Sequence, residues 1–361
     1  MLQAAAGLTR GWSNVDVPPL PDEHCRGVER LRERFRGCLL GAAVGDVVGA
    51  AVEAESPAYI ARTFTSIDDI LLAGTVEEFQ GPPWQVGRFT DDTQMTLCVA
   101  EWLIAGETDT PQRLLFRLAE AHEPWRRYGP GMEAILRLYR EHPAQWRELA
   151  TAAFPHGSLG NGSATRVAPV GLAYCRDPKR AGAVARESSR PTHSHPLALQ
   201  GAIIQALAVA TAVRLDNFSA EPFLASARGV LDEFSDLLQD VTPFANALDA
   251  IEQGLARGAA CAEMAPTLGT GVTAPEAVPM ALYCFLRHPH SYPDVIHQAV
   301  FAGGDTDTIA SMAGALSGAF LGEGSIPPQW REEVRETVHN AVAIADIADR
   351  LFVRCGGQGP P

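Results

Sequence analysis

Strand patterning is almost missing from this chain. Across 361 residues there is no sustained alternation of apolar and polar positions and no hairpin dipeptide between β-branched runs, which excludes an architecture built on sheets. Cysteine is sparse and scattered. The seven thiols at 25, 38, 98, 175, 261, 284 and 355 form no CxxC pair and are odd in number. That excludes a disulfide framework or a cysteine zinc site and fits buried free thiols in a reducing compartment. Positive charge is scarce as well: 29 Lys and Arg stand against 43 Asp and Glu, a formal charge of −14, and no basic stripe offsets it. Non-specific binding to nucleic acid or to an anionic membrane is thereby disfavoured, and any nucleotide bound is expected to be small and held with a metal's help. The most apolar long run, Leu197 to Val213, is interrupted by Gln200 and Gln205 and reads as a core helix, too short to span a membrane. The first 25 residues contain no apolar stretch of signal-peptide length. A soluble cytoplasmic protein is the expectation.

What the chain does have is apolar surface, glycine and acid. With 46% hydrophobic residues and 33 glycines it can bury a large core of closely packed helices. In the stretch from Phe301 to Leu321, Asp305, Thr306, Asp307 and Thr308 follow two glycines and open an apolar run that reads as a buried helix. A second cluster, Thr90-Asp91-Asp92-Thr93, opens another. A helix N-terminus suits negative charge, because its first backbone N–H groups have no partner within the helix, so each cluster taken alone reads as a cap. Two such ends facing each other would gather four carboxylates, which cannot all stay ionised without a cation between them. Oxygen ligands alone indicate a hard divalent ion, magnesium before manganese or calcium, and not zinc.

Gly37, Gly41, Gly45 and Gly49 recur every four residues and make one smooth helical ridge for close packing, which Glu53 continues by one step. Ala310, Gly314 and Gly318 form a matching row. Asp46 lies two turns before Glu53 on the same side, in a capping role or a place at the site. Residues 54–89 carry the Pro and Gly of a long loop with short helices at most, a usual place for a substrate lid. Helical patterns cover roughly 111–121, 131–140, 144–153 and 274–285, and the last one runs unbroken from Pro328 to Phe352. The glycine-rich turn around Ser158, Gly160 and Asn161 feeds an apolar helix and offers backbone N–H groups to phosphate, without the GxxxxGK[ST] spacing of an ATPase loop. His193 and His195 stand at the entry of the helix that follows. The expected class is all-α, with a dozen or more helices in one compact domain over 31–355. An arm of residues 1–30 precedes it and a tail of 356–361 follows.

The set GAAVGDVVGAAVE, FTDDTQM, GSLGNGSATRVAPV, THSH and GGDTDTIASMAGALSGA, spread over about residues 34–325, resembles the ADP-ribosylglycohydrolase family. The resemblance implies an all-helical fold with two Mg²⁺ ions in a cleft. It also implies cleavage of the bond between the ribose anomeric carbon of ADP-ribose and a protein side chain. Matched position by position, the metal ligands would be Thr90, Asp91, Asp92, Asp305, Asp307 and Thr308. Glu53 would be the acid/base residue, with Asp92 or Asp305 as the metal-bound alternative for moving the proton. The turn at Ser158, Gly160 and Asn161, assisted by Gly129 and Gly131, would hold the diphosphate, and His193 would lie near the nucleotide. Leu159 departs from relatives that place an adenine-stacking aromatic there, and Phe154 is the candidate substitute.

On this reading the chain removes ADP-ribose from modified proteins, with arginine linkages ahead of serine by analogy with bacterial relatives. Two alternatives use the same residues or the arm. One is a two-metal phosphoesterase acting on a small nucleotide. The other is an immunity protein whose residues 1–30 block an ADP-ribosyltransferase toxin.

Overall fold

The computed structural model describes residues 27–76, 83–108, 110–237 and 239–356. The chain begins with α1 (Val28–Gly49), passes through a 3₁₀ turn at Ala50–Val52 and leaves helical geometry at Glu53. Two short helices follow, α2 (Pro57–Thr63) and α3 (Ile67–Leu72), each started by a serine whose hydroxyl accepts a backbone N–H of the first turn. A small antiparallel ribbon pairs β1 (Thr75–Val76) with β2 (Trp84–Gln85) and leads into α4 (Asp91–Ile104). Then come α5 (Pro111–Ala121), α6 (Pro130–Glu141), α7 (Leu149–Ala153), α8 (Gly162–Thr165), α9 (Ala168–Ala173) and α10 (Pro178–Ser189). The second half holds α11 (Pro196–Ala212), α12 (Glu221–Asp236), α13 (Thr242–Arg257), α14 (Cys261–Leu268), α15 (Ala274–Arg287), α16 (Tyr292–Phe301), α17 (Thr306–Leu321), α18 (Pro328–Glu332) and α19 (Ala341–Arg354). Many of these begin on a proline, whose missing N–H costs nothing at a helix's first position.

The two small-residue rows meet. Each glycine of α1 stands where a Cβ would run into the backbone of α17: Gly37 against Gly318, Gly41 against Gly314, Gly45 against Ala310 and Gly49 against Thr306 and Asp307. The two helices therefore lie backbone to backbone along their whole shared length. Around this pair the core fills with α11 and α15, both buried over most of their surface. The two glutamines that interrupt the apolar run of α11 each tie it to a neighbour through the amide N–H: Gln205 donates to the Met312 carbonyl of α17 at 3.1 Å and Gln200 to the Asp240 carbonyl at 2.9 Å. By length and composition, the α1 segment Val28–Val52 is also apolar enough to cross a membrane, but 94% of its most apolar stretch is packed inside the molecule. The whole is one compact all-helical domain, as expected.

Three expectations need correction. The helix read from Pro328 to Phe352 is two helices, because Asn340 caps a new start by accepting the N–H groups of Val342 and Ala343. The segment between them turns away to pair: Arg335 N–H donates to the Gly87 carbonyl at 2.9 Å, and Glu336 meets the buried Arg126 at 3.0 Å. Over 144–153 only Leu149–Ala153 is α-helical, preceded by a 3₁₀ turn at Pro143–Gln145. The long loop 54–89 carries a two-stranded ribbon as well as short helices. Of the arm, residues 28–30 are the first turn of α1 and residues 1–26 lie outside the described residues, as does 357–361 of the tail.

The ridge contact gives a stability test with a decisive sign. On helix propensity alone Gly41→Ala would stabilise α1 by about 1 kcal/mol. If the backbones touch at Gly314, the variant is instead destabilised by about 1–3 kcal/mol through overpacking. Chemical denaturation of both proteins reads which term prevails.

Candidate active site

Close packing of α1 on α17 sets down two helix starts and one helix end in a single place. At the start of α4, Thr90 is the N-cap, its hydroxyl accepting the Asp92 N–H at 3.3 Å, with Asp91 and Asp92 in the first turn. Asp46, fully buried on α1, reaches across and accepts the Thr90 N–H at 2.9 Å, the Thr93 N–H at 2.9 Å and the Thr93 hydroxyl at 2.6 Å. Its carboxylate is spent on holding α4 in position, which decides its role as a brace.

At the start of α17 the chain arrives through Gly303 and Gly304, both left-handed at φ 73° and 80°, a conformation that glycine adopts without strain. The Asp305 N–H then donates to the Thr270 carbonyl at 2.8 Å, and the Thr306 hydroxyl donates to the Gly49 carbonyl at 2.8 Å, closing the last turn of α1. Thr308 makes the decisive contact. Its hydroxyl donates to the Asp92 carboxylate at 2.8 Å, joining the two acidic helix starts across 216 residues of sequence.

Glu53 completes the cluster, though not as a continuation of the helical ridge. It follows the 3₁₀ turn in extended geometry, and its segment is stitched to the glycine turn by the Ala54 N–H on the Gly304 carbonyl at 2.8 Å and the Gly304 N–H on the Glu55 carbonyl at 3.1 Å. As a result Glu53, Asp305 and Asp307 each place a carboxylate oxygen within 4.8 Å of the others. Arg127, which sequence reasoning missed, donates to Glu53 at 2.9 Å.

So many acids in one buried place raise one another's proton affinity. Glu53 is pushed up to about 8, chiefly by the Asp307 charge and then by burial, with Arg127 opposing. Asp305 is raised to about 6 by burial, with Glu53 adding to the rise and the Asn161 amide opposing it. Asp91, Asp92 and Asp307 lie well above the usual carboxylate range, chiefly through burial and then through neighbouring acids: Asp307 for Asp91, Asp91 and Asp307 for Asp92, and Asp305 for Asp307. The donor set is oxygen only and over-supplied with negative charge, and this fits a hard divalent cation held by Asp91, Asp92, Asp305, Asp307 and Thr308, with Glu53 at its edge. The Thr90 hydroxyl already serves as the helix cap.

The glycine-rich turn lies beside this centre, and part of its hydrogen-bonding capacity is taken. The Gly160 N–H donates to the Ser158 hydroxyl at 3.2 Å and the Asn161 N–H to the Val272 carbonyl at 3.0 Å. The Asn161 side chain is committed to Asp305 at 2.5 Å and belongs with the acidic centre. His193 is buried with its ring against Gly160 and Gly162 and its Nδ1 2.8 Å from the Thr192 hydroxyl. Burial, and then the Arg166 guanidinium, lower its pKa to about 3, so it stays neutral. Gly129 is the N-cap of α6, and Gly131 in its first turn lies against the ring of Phe154, which is 40% exposed. Phe154 is thus partly open to solvent, while Leu159 is pinned by its carbonyl to the Ala274 N–H at 3.0 Å.

The fold is a helical frame that brings carboxylates from two helix starts to one centre. Comparison with known proteins identifies its class. The family model described as ADP-ribosylglycohydrolase matches residues 28–361. The chain is 33% identical to ADP-ribosylhydrolase ARH3 of Bos taurus over 90% of its own length and 95% of that protein's. It is 34% identical to the ARH3 of Mus musculus, covering 90% and 93%. A solved structure named an ADP-ribosylglycohydrolase-related protein complex superposes with a TM-score of 0.67 at 27% identity, covering 91% of this chain and 99% of that one. The chain belongs to the ADP-ribosylglycohydrolase family and is an enzyme of that glycohydrolase type.

The raised carboxyls set a pH test. Glu53 and Asp305 bind protons more readily folded than unfolded, so their stabilising contribution is full below about pH 4 and is lost as pH rises through about 6 and then about 8. In a chelator the protein is expected to melt at a lower temperature at alkaline than at mildly acidic pH, and excess Mg²⁺ should abolish that fall. An equal fall with and without Mg²⁺ would mean that these acids hold no cation.

Proposed function

We propose that the chain is a Mg²⁺-dependent hydrolase that removes ADP-ribose from modified protein side chains and releases it free. The observation that carries this reading is the Thr308–Asp92 hydrogen bond, which joins two acidic helix starts into one centre. Two ions are the expected number, with Mn²⁺ or Ca²⁺ as substitutes. When bound, such cations supply a grip on the ribose hydroxyls and a more acidic water.

The protein's own contribution is placement and proton handling. Asp91, Asp92, Asp305 and Asp307 fix the charge that faces the ribose, and Asn161 holds the Asp305 carboxylate in orientation. Glu53 lies at the edge of the cluster with its side chain 32% exposed and its proton affinity tuned near neutrality, which suits an acid that protonates the leaving group as the glycosidic bond breaks. Phe154 beside Gly131 offers the adenine a ring to stack on, and neutral His193 lines the turn without repelling or attracting the diphosphate strongly.

For the acceptor, the charge at Glu53 argues against the arginine preference drawn from analogy. Arg127 already places one guanidinium there, and a second, on an arginine leaving group, would meet like charge. A serine hydroxyl linkage is therefore the favoured substrate. Incubation with serine- and arginine-linked ADP-ribosyl peptides plus Mg²⁺ should release ADP-ribose faster from the serine peptide. Faster release from the arginine peptide would reverse the assignment. AMP with ribose phosphate as product would show that the diphosphate had been cut, the signature of a phosphoesterase.

Asp305→Ala is expected to abolish turnover with the helical fold intact. Glu53→Gln should lower kcat by about 10²–10⁴-fold with KM little changed. Turnover of either variant at the wild-type rate would overturn the roles assigned to Asp305 and Glu53.

A further inference from the structure

Among the described residues, two that are not glycine adopt left-handed backbone geometry: Ala54 at φ 64° and Arg127 at φ 60°. Both adjoin Glu53. Ala54 follows it in sequence, and Arg127 reaches it from the turn before α6. Residues held in this region of backbone space cluster where a side chain must be delivered to a fixed place. Arg127 takes part in that delivery. Its guanidinium donates to the Ala50 carbonyl at 2.7 Å and to the Glu53 carboxylate at 2.9 Å, and it lies 4.0 Å from the centre of the Trp84 ring. Trp84 is 5% exposed and sits on β2, with the Trp125 ring 6.4 Å away.

We propose that Arg127, stacked on Trp84, is the positioning residue that holds the Glu53 carboxylate at the edge of the acidic centre and keeps it from closing onto the cation as a full ligand. The inference rests on the acid role of Glu53 under the proposed function. Three physical points support it. The carboxylate is divided between a guanidinium on one side and Asp305 and Asp307 on the other, so a cation must compete with Arg127 for it. Nη1 alone makes both bonds, to the Ala50 carbonyl and to Glu53, so the charge that holds the carboxylate is itself anchored to backbone on one side and to the Trp84 ring on the other. Stacking on a buried indole fixes the plane of the guanidinium, so the ribbon strand that carries Trp84 sets the direction in which Glu53 is held.

Two measured quantities should then move in opposite directions. In Arg127→Gly the backbone strain is relieved, because glycine accepts a φ of 60° freely, so the melting temperature should hold within a few degrees. Mn²⁺ affinity of the isolated protein, read by calorimetry, should rise about 3–10-fold, since Glu53 becomes free and a repelling cation is gone. At the same time kcat should fall by about 10-fold or more with KM changed much less, since the acid is no longer held. Arg127→Lys should keep near-normal Mn²⁺ affinity while kcat falls, as charge remains and the planar group stacked on Trp84 is lost. Trp84→Leu should lower kcat a few-fold, and the Trp84→Leu/Arg127→Gly pair should be no worse than Arg127→Gly alone, the non-additivity expected of residues acting through one contact.

A purely structural role would lower Mn²⁺ affinity, kcat and melting temperature together, and that result, or unchanged Mn²⁺ affinity and kcat in Arg127→Gly, would overturn the proposal. Absence of ADP-ribose release by the wild-type protein would defeat the reading of the reaction instead, and the Mn²⁺ measurement would still decide the place of Arg127.

Discussion

Backbone contact between α1 and α17 is the constraint on which the site depends. Because four small residues on α1 meet the small-residue row of α17 and let the main chains touch, the two helices are fixed in register as well as in angle. Register matters because every piece of the acidic centre is referred to this pair. The N-terminus of α17 carries Asp305, Asp307 and Thr308, the C-terminal end of α1 delivers Glu53, and Asp46 of α1 braces the start of α4. A slip of one turn along the ridge would separate Thr308 from Asp92 and leave Gly49 without the Thr306 hydroxyl that closes it. Packing of glycine on glycine, remote from any reacting group, is thus what sets distances at the centre.

The centre is electrostatically costly, and the cost explains its construction. Buried carboxylates repel one another, and in the absence of a cation they relieve the repulsion by taking up protons. The fold limits the penalty where it can: helix N-termini face Asp91, Asp92 and Asp307, Asn161 and Thr308 donate to Asp305 and Asp92, and Arg127 shares Glu53. What these donors leave uncompensated is the driving force for holding a divalent ion. The same balance separates the roles of the acids. Those enclosed on all sides are suited to a fixed charge, whereas Glu53, at the edge with an arginine neighbour, is suited to carrying a proton.

Much of this was legible in the residues. The four-residue glycine spacing foretold the helix pair, and the two Asp-Thr clusters foretold the helix starts, because each rests on a short-range rule that tertiary context seldom overrides. Glu53 was found by a sound spacing argument for the wrong local reason, since the helix ends at Gly49 and the carboxylate arrives through a backbone stitch to Gly304. What could not be read depended on contacts between distant segments. Nothing around Arg127 in the sequence announces that it will pair with Glu53. The break between α18 and α19 reflects the pull of Arg126 and Gly87 on residues 335 and 336. Asn161 looked like a phosphate ligand because its turn is glycine-rich, yet its amide is claimed by Asp305.

The central claim is that acids from the starts of α4 and α17 hold divalent cations between them. Anomalous diffraction from crystals soaked in Mn²⁺ tests it most directly. Two strong peaks are expected, both bounded by Asp92, Asp305 and Asp307 and within reach of Asp91, Thr308 and Glu53. A map with no peak at this centre, or with its only peaks at acids elsewhere on the surface, would contradict it.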